Sequence, residues 1–308
     1  MKKFISALAA AAIAAAALIP RGLAAECAAE PQYEYTIINN EATITGFKGE
    51  PVYIEIPETI EGCRVVELRD NAFYECSTLR HIDLPDTLGK IGHHCFYACS
   101  ALEEISVPDS VTDIGMGCFC GCAELSSATV PDTLTALPES CFRSCTSLAA
   151  FTVPESVQRI GAFCFSGCTS LKNVSLGSSV KGVGDCSFYM CTSLKGVYVP
   201  PSVSDIGICA FGYVPSDDGA QVAEDFVLLG DGGSAARAYA KENHITFTDA
   251  SDTVHAFAIQ RISGERVPVS IPSVTLIGGG ALLAVGLIFV KRKYRIGSKA
   301  KINKNRRK

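Results

Sequence analysis

Apolar positions recur along this chain at one long, fixed interval that neither a single helix nor a single strand produces. Phe73, Phe96, Phe119, Phe142, Phe165, Phe188 and Phe211 hold that register without a slip. Three positions after each of the first six stands a cysteine: Cys76, Cys99, Cys122, Cys145, Cys168 and Cys191. Three further on stands a leucine: Leu79, Leu102, Leu125, Leu148, Leu171 and Leu194. A short alternating segment follows, such as His81-Ile82-Asp83-Leu84. It closes on Pro85, Pro108, Pro131, Pro154 and Pro200, with Gly177 in the remaining slot. Two more apolar columns complete the unit. One is Leu88, Val111, Leu134, Val157, Val180 and Val203; the other is Ile91, Ile114, Leu137, Ile160, Val183 and Ile206. Glycine follows the second column at 92, 115, 161, 184 and 207, which suits a positive φ or a close backbone approach.

A period in the twenties is the pattern of a solenoid of stacked leucine-rich units. No coil can bury its own apolar columns; only the stack can. The expected fold is therefore a β-rich solenoid with 23-residue coils. Each coil is read as a strand, a turn at proline, a second short extended piece and a tight helical turn carrying phenylalanine. Seven coils at a strand spacing of about 4.8 Å make a body roughly 30 Å long.

The flanks read differently. Segment 32–66 alternates as strands around a turn at Asn39-Asn40-Glu41 and is expected to form an amino-terminal β cap. Repeats occupy 67–225. Segment 226–249 reads as a carboxy-terminal strand–helix–strand cap. Its helix would be capped by Ser234, with Ala235, Ala236, Tyr239 and Ala240 inward.

The unit of Ala-Phe or Cys-Phe, then Cys-x-x-Leu, an apolar strand, proline and Ile-Gly resembles the BspA-like bacterial leucine-rich repeat family. The opening YEYTIINNEATITGF and the closing GSAARAYAKENHITF resemble that family's flanking segments. The resemblance spans about 33–248. It implies a right-handed solenoid on a bacterial cell surface, used for adhesion or host-protein binding. Three places depart from the pattern: Leu137-Pro138, Gly177, and Asp185-Cys186-Ser187.

Both ends suggest export and anchoring. Residues 1–25 combine Lys2 and Lys3 with an Ala-rich apolar run and small residues up to Ala25, the form of a bacterial signal peptide. Glu26 before Cys27 is unsuited to a lipoprotein cleavage site. After a connector at 250–270, residues 271–290 carry no charge. At 1.5 Å per residue, a helix there would cross a hydrocarbon core of about 30 Å. The basic tail 291–308 would stay inside by the positive-inside rule, leaving the repeats outside a bacterial plasma membrane. A sortase-type sorting signal is the alternative, although VPVSIPS stands where its LP-x-TG motif would be. A buried globular helix is a further one.

Charge sharpens this picture. All 32 Asp and Glu fall in 26–270 against fourteen Lys and Arg, the other thirteen of the 27 basic residues lying in the two ends. An acidic body repels phosphate backbones, so nucleic acid is not an expected partner. No nucleophile elbow, phosphate loop or carboxylate cleft appears, so neither an enzyme nor a cofactor is expected.

The 15 cysteines recur once or twice per coil and form ladders along the stack. The leading reading is a buried column of small side chains. Disulfides between adjacent coils stay open, since export favours them and equivalent Cα atoms lie about 5 Å apart. Zinc is a further alternative. His93 and His94 invite a metal reading, but neighbours in a turn point apart.

The remaining candidate is the exposed face of the first strand. Its outward residues are His81 and Asp83, Glu104 and Ser106, Ser127 and Thr129, Thr152, Asn173 and Ser175, and Tyr198. Ser106, Thr129, Thr152 and Ser175 form one hydroxyl column. Such a face can lie against a partner's backbone or a glycan, with Tyr198 as an anchor. An ordinary solvated strand face is the plainer alternative. The expected function is a membrane-anchored surface protein binding an extracellular protein or glycan. A self-associating envelope protein and a non-catalytic receptor are the alternatives.

Overall fold

The structure, a computed structural model, describes residues 32–217 and 219–250. The expected signal peptide, membrane helix and basic tail lie outside these residues. Among the described residues no helix is long and apolar enough to cross a membrane.

The chain opens with β1 (Gln32–Ile38) and β2 (Glu41–Lys48), an antiparallel hairpin. Asn39 and Asn40 turn it with φ of 52° and 66°. Asparagine tolerates the left-handed region better than other side chains, and a two-residue turn of this kind matches strand twist. β3 (Tyr53–Glu55), β4 (Thr59–Ile60) and β5 (Cys63–Leu68) follow.

From there each coil supplies a three-residue and a two-residue strand. These are β6 (His81–Asp83), β7 (Lys90–Ile91), β8 (Glu104–Ser106), β9 (Asp113–Ile114), β10 (Ser127–Thr129) and β11 (Ala136–Leu137). They continue as β12 (Ala150–Thr152), β13 (Arg159–Ile160), β14 (Asn173–Ser175), β15 (Gly182–Val183), β16 (Gly196–Tyr198) and β17 (Asp205–Ile206). After an antiparallel pair, β18 (Tyr213–Ser216) and β19 (Gly219–Val222), come β20 (Val227–Gly230), α1 (Ala235–Glu242) and β21 (Thr246–Asp249).

The three-residue strands form one side of the stack and extend past the regular repeats. β3 pairs in parallel with β6, Tyr53 facing His81, although the chain between these two positions is longer than one period. At the other end β16, β20 and β21 pair in order. The strand series therefore begins at Tyr53, inside the segment expected to be only a cap.

On the two-residue side, each coil's amide after the Ile column donates to the coil before. Gly92, Gly115, Gly161, Gly184 and Gly207 donate to Leu68, Ile91, Leu137, Ile160 and Val183, all at 2.8 Å. Pro138 occupies this column and has no amide hydrogen. The sheet breaks at that point, into β5-β7-β9 and β11-β13-β15-β17.

The glycines of this column have ordinary φ. They are needed for space: a Cβ on Gly161 would lie 2.5 Å from the Glu139 amide, and one on Gly184 would lie 2.6 Å from that of Ala162. Positive φ occurs elsewhere, in the phenylalanine segment. Asn71, His94, Gly117, Ser140, Phe163, Cys186 and Cys209 form one left-handed column. Glu75, Ala98, Gly121, Ser144, Gly167 and Met190 form another. Hence this segment is a run of tight turns and not the expected helical turn. Its alternate amides bond to the next coil, as Asn71, Phe73 and Glu75 do to His93, Cys95 and Tyr97.

The core runs down the middle. The seven phenylalanines are buried. Their rings stack 5.2 to 5.5 Å apart and within 11° of parallel, in the range for offset aromatic pairs. In α1, Ala236, Tyr239 and Ala240 are buried and Ala235 is half-buried. Ser234 holds the N-cap position, but its hydroxyl makes no capping hydrogen bond.

Candidate ligand-binding face

The predicted face residues all lie on the outer side of the three-residue strands, because alternation turns the middle residue of each inward; Ala128 and Val174 are half-buried and the others buried. Asp83, Glu104, Ser106, Ser127, Thr129, Thr152, Ser175 and Tyr198 are exposed; His81 and Asn173 are half-buried. Pairing places Glu104 beside Ser127, Ser106 beside Thr129, and Thr152 beside Ser175. The Thr129 hydroxyl donates to that of Ser106 at 3.2 Å.

The hydroxyl column is not continuous. Strands pair as β3-β6, β8-β10, β12-β14 and β16-β20-β21, with no ladder joining β6 to β8, β10 to β12 or β14 to β16. Ser106 and Thr129 thus belong to one pair, Thr152 and Ser175 to the next. Between β10 and β12 lies a concavity of about 450 Å³ lined by Ser127, Ala128, Thr129, Ala150, Phe151 and Thr152. Side-chain size accounts for its position. Ala128 stands where other coils have Ile82, Ile105, Val174 or Val197, and Ala150 faces outward beside it. The Phe151 ring instead turns inward between Phe142 and Phe165, 5.0 and 4.9 Å away.

The two ends of the face differ. At the β3 end, the Tyr53 hydroxyl donates to Asp83 at 2.5 Å, and that carboxylate pushes the phenol up to about 12. His81 lies 3.6 Å from both Glu103 and Glu104, and Arg80 pairs with Glu103 at 2.8 Å. With Glu55 opposite Asp83, this end carries more acid than base. At the other end Tyr198 is 44% exposed. Tyr53, 54% exposed, was missed by sequence reasoning because it falls out of step with the period that ends at His81. The signal available was YIEIP, which matches HIDLP position for position.

The two buried cysteine ladders are accounted for by packing. Cys95, Cys118, Cys141 and Cys164 are fully buried, and Ser187 continues their column with hydrogen bonds to the Gly161 and Gly184 carbonyls. Cys99, Cys122, Cys145, Cys168 and Cys191 each donate Sγ–H to the phenylalanine carbonyl of the preceding coil, at 3.1 to 3.2 Å. Burial pushes their thiols up. His93 Nδ1 accepts from the Met116 amide at 2.9 Å, while His94 packs edge-on against Tyr97. Among the described residues no group of three or more His, Cys, Asp or Glu could hold a metal ion.

The profile of the BspA type leucine rich repeat region matches residues 66–195 and 138–216, in six copies. The repeats belong to the BspA-type leucine-rich repeat family. Solved structures with similar folds include a leucine rich cell surface protein from Faecalibacterium prausnitzii, 26% identical, with a TM-score of 0.53 over 66% of this chain. The match spans 64% of that protein, a little under two thirds of its length. A leucine rich repeat protein of T. pallidum is 25% identical, with a TM-score of 0.52 over 70% of this chain and 95% of that one. One from Eubacterium ventriosum, at 22% identity and a TM-score of 0.52, covers 59% of this chain and 47% of its own, and shows the fold alone. Comparison with curated proteins gave no match. Leucine-rich repeat proteins of this kind are generally non-catalytic binding scaffolds.

Proposed function

We propose that this chain is a non-catalytic cell-surface protein that binds an extracellular protein or glycan on the outer face of its three-residue strands. The observation that carries this reading is the concavity at the β10–β12 opening. There Ser127, Thr129 and Thr152 present hydroxyls at a site open to solvent. Small polar groups on a rigid sheet can exchange hydrogen bonds with a glycan or a peptide backbone at little cost in side-chain entropy. Tyr198 and Tyr53 add amphipathic rings at either end.

In this reading the hairpin and the β20–α1–β21 segment cover the stack's ends. The 1–25 leader exports the chain, and the 271–290 helix holds it in a bacterial plasma membrane. The 291–308 tail lies against anionic lipid on the inner side. The cell-surface description of the F. prausnitzii protein supports this placement. The test is a glycan and protein array probed with the purified protein and with a Thr129→Ala/Thr152→Ala variant. Binding lost in the variant supports the reading. Equal binding by both, or self-association alone, overturns it. Protection of the repeats from protease in intact cells would overturn the placement.

A further inference from the structure

Among the half-exposed cysteines, which also include Cys76 and Cys120, two stand outside the buried ladders as a pair. Cys186 and Cys209 are half-exposed and occupy equivalent positions on adjacent coils. Their backbones are locked in register on both sides. Val183 pairs with Ile206, the Cys186 amide donates to the Ile208 carbonyl at 2.8 Å, and the Phe188 amide donates to that of Ala210 at 3.0 Å. Both residues have φ of 52°, so both Cα–Cβ bonds leave the stack in the same sense. Coil spacing of about 4.8 Å falls inside the Cα separation a disulfide requires.

We infer that Cys186 and Cys209 are a disulfide site that fastens the last two coils when the exported protein meets a disulfide oxidant. The buried ladders share the coil spacing but not the access. Apart from Cys76, their sulfurs are enclosed, and those of Cys99, Cys122, Cys145, Cys168 and Cys191 are engaged with phenylalanine carbonyls. The chemistry is two exchanges with a low-molecular-weight disulfide. One cysteine thiolate attacks it, forming a mixed disulfide and displacing one small thiolate. The other cysteine thiolate then attacks the protein-bound sulfur, displacing the second small thiolate and closing the Sγ–Sγ bond. Two electrons pass to the oxidant, and the two cysteine protons end on the two small thiols. Partial burial and the nearby Asp185 carboxylate raise both thiols, so the pair is suited to a structural bond rather than to nucleophilic catalysis.

The test uses the full-length chain, reduced, freed of reductant and exposed to oxidised glutathione under native conditions. It is then alkylated in denaturant and digested with trypsin. The expected product is peptide 182–195 joined to peptide 196–237 through Cys186 and Cys209, lost on reduction. Cys186→Ser should instead retain a glutathione adduct on Cys209, and Cys209→Ser one on Cys186. Separate glutathione adducts on both cysteines of the unsubstituted chain would overturn the inference. So would two free thiols after the same treatment.

Discussion

The Phe211 amide donates to the Tyr239 hydroxyl at 3.2 Å. Each earlier phenylalanine of the ladder donates to a carbonyl of the following coil, as Phe142 does to Cys164 and Phe188 to Ala210. Phe211 has no such coil above it, and a phenol on α1 supplies the acceptor. Tyr239→Phe keeps the edge-on ring contact but leaves a buried N–H unpaired, which costs about 1–3 kcal/mol. Denaturant titration should read that loss, and hydrogen exchange should accelerate at Phe211 while Phe142 stays protected. Unchanged exchange at Phe211 would refute the role given to Tyr239.

The buried thiols make stability fall in alkali. Burial raises the pKa of Cys118, Cys141 and Cys145 in the folded state well above the ordinary value. A group raised on folding contributes its full stability below its unfolded pKa, about 8.5 for cysteine, and loses it as pH climbs toward the folded value. Each such thiol therefore removes up to about 1.4 kcal/mol per pH unit above that point. Urea midpoints should hold level between pH 7 and 8 and drop steeply beyond 9. Replacing Cys145 by Ala should cost about 1–2 kcal/mol at neutral pH through the lost bond to Phe119. It should also make the alkaline fall shallower.

Two glycine columns predict opposite outcomes. Gly184→Ala forces a Cβ to within 2.6 Å of a backbone amide and should destabilise by about 1–3 kcal/mol. Ala98 has φ of 55° in a column where Gly121 and Gly167 also sit. Ala98→Gly relieves that strain and should leave stability unchanged or raise it by up to about 1 kcal/mol. Thermal melts of the two variants should move apart; shifts of the same sign and size would contradict the assignment of the columns.

Ala128 lines the concavity between β10 and β12. Ala128→Val adds apolar atoms where there is space, which should stabilise by about 0.5–1 kcal/mol. It should also weaken ligand capture on the array described above, with the outward hydroxyls intact. A stabilised variant that binds as well as the original would move the binding site away from this concavity.

The solenoid, its period and its outward face were legible because one side-chain pattern repeats without insertion from Phe73 to Phe211. What the pattern hid has a common physical origin. Tyr53 and β3 stack on β6 through backbone pairing, which tolerates an overlong coil as readily as a regular one. The left-handed columns carry Asn, His, Ser, Phe and Cys as well as glycine, so composition did not mark them. Inter-coil hydrogen bonds hold those residues there in spite of intrinsic preference. The ladder breaks recur between β6 and β8, β10 and β12, and β14 and β16, whatever the size of the middle residue, so no per-position reading marks them.

Pro138 gives the stack a weak boundary. In a one-dimensional array, cooperativity depends on the coupling between neighbours, and here one neighbour contact lacks a rung that every similar coil supplies. Thermal fraying that starts at either end will therefore tend to pause at this level. The β8–β10 ladder and the Phe119–Phe142 stack still bridge this level, so the coupling there is reduced and not lost.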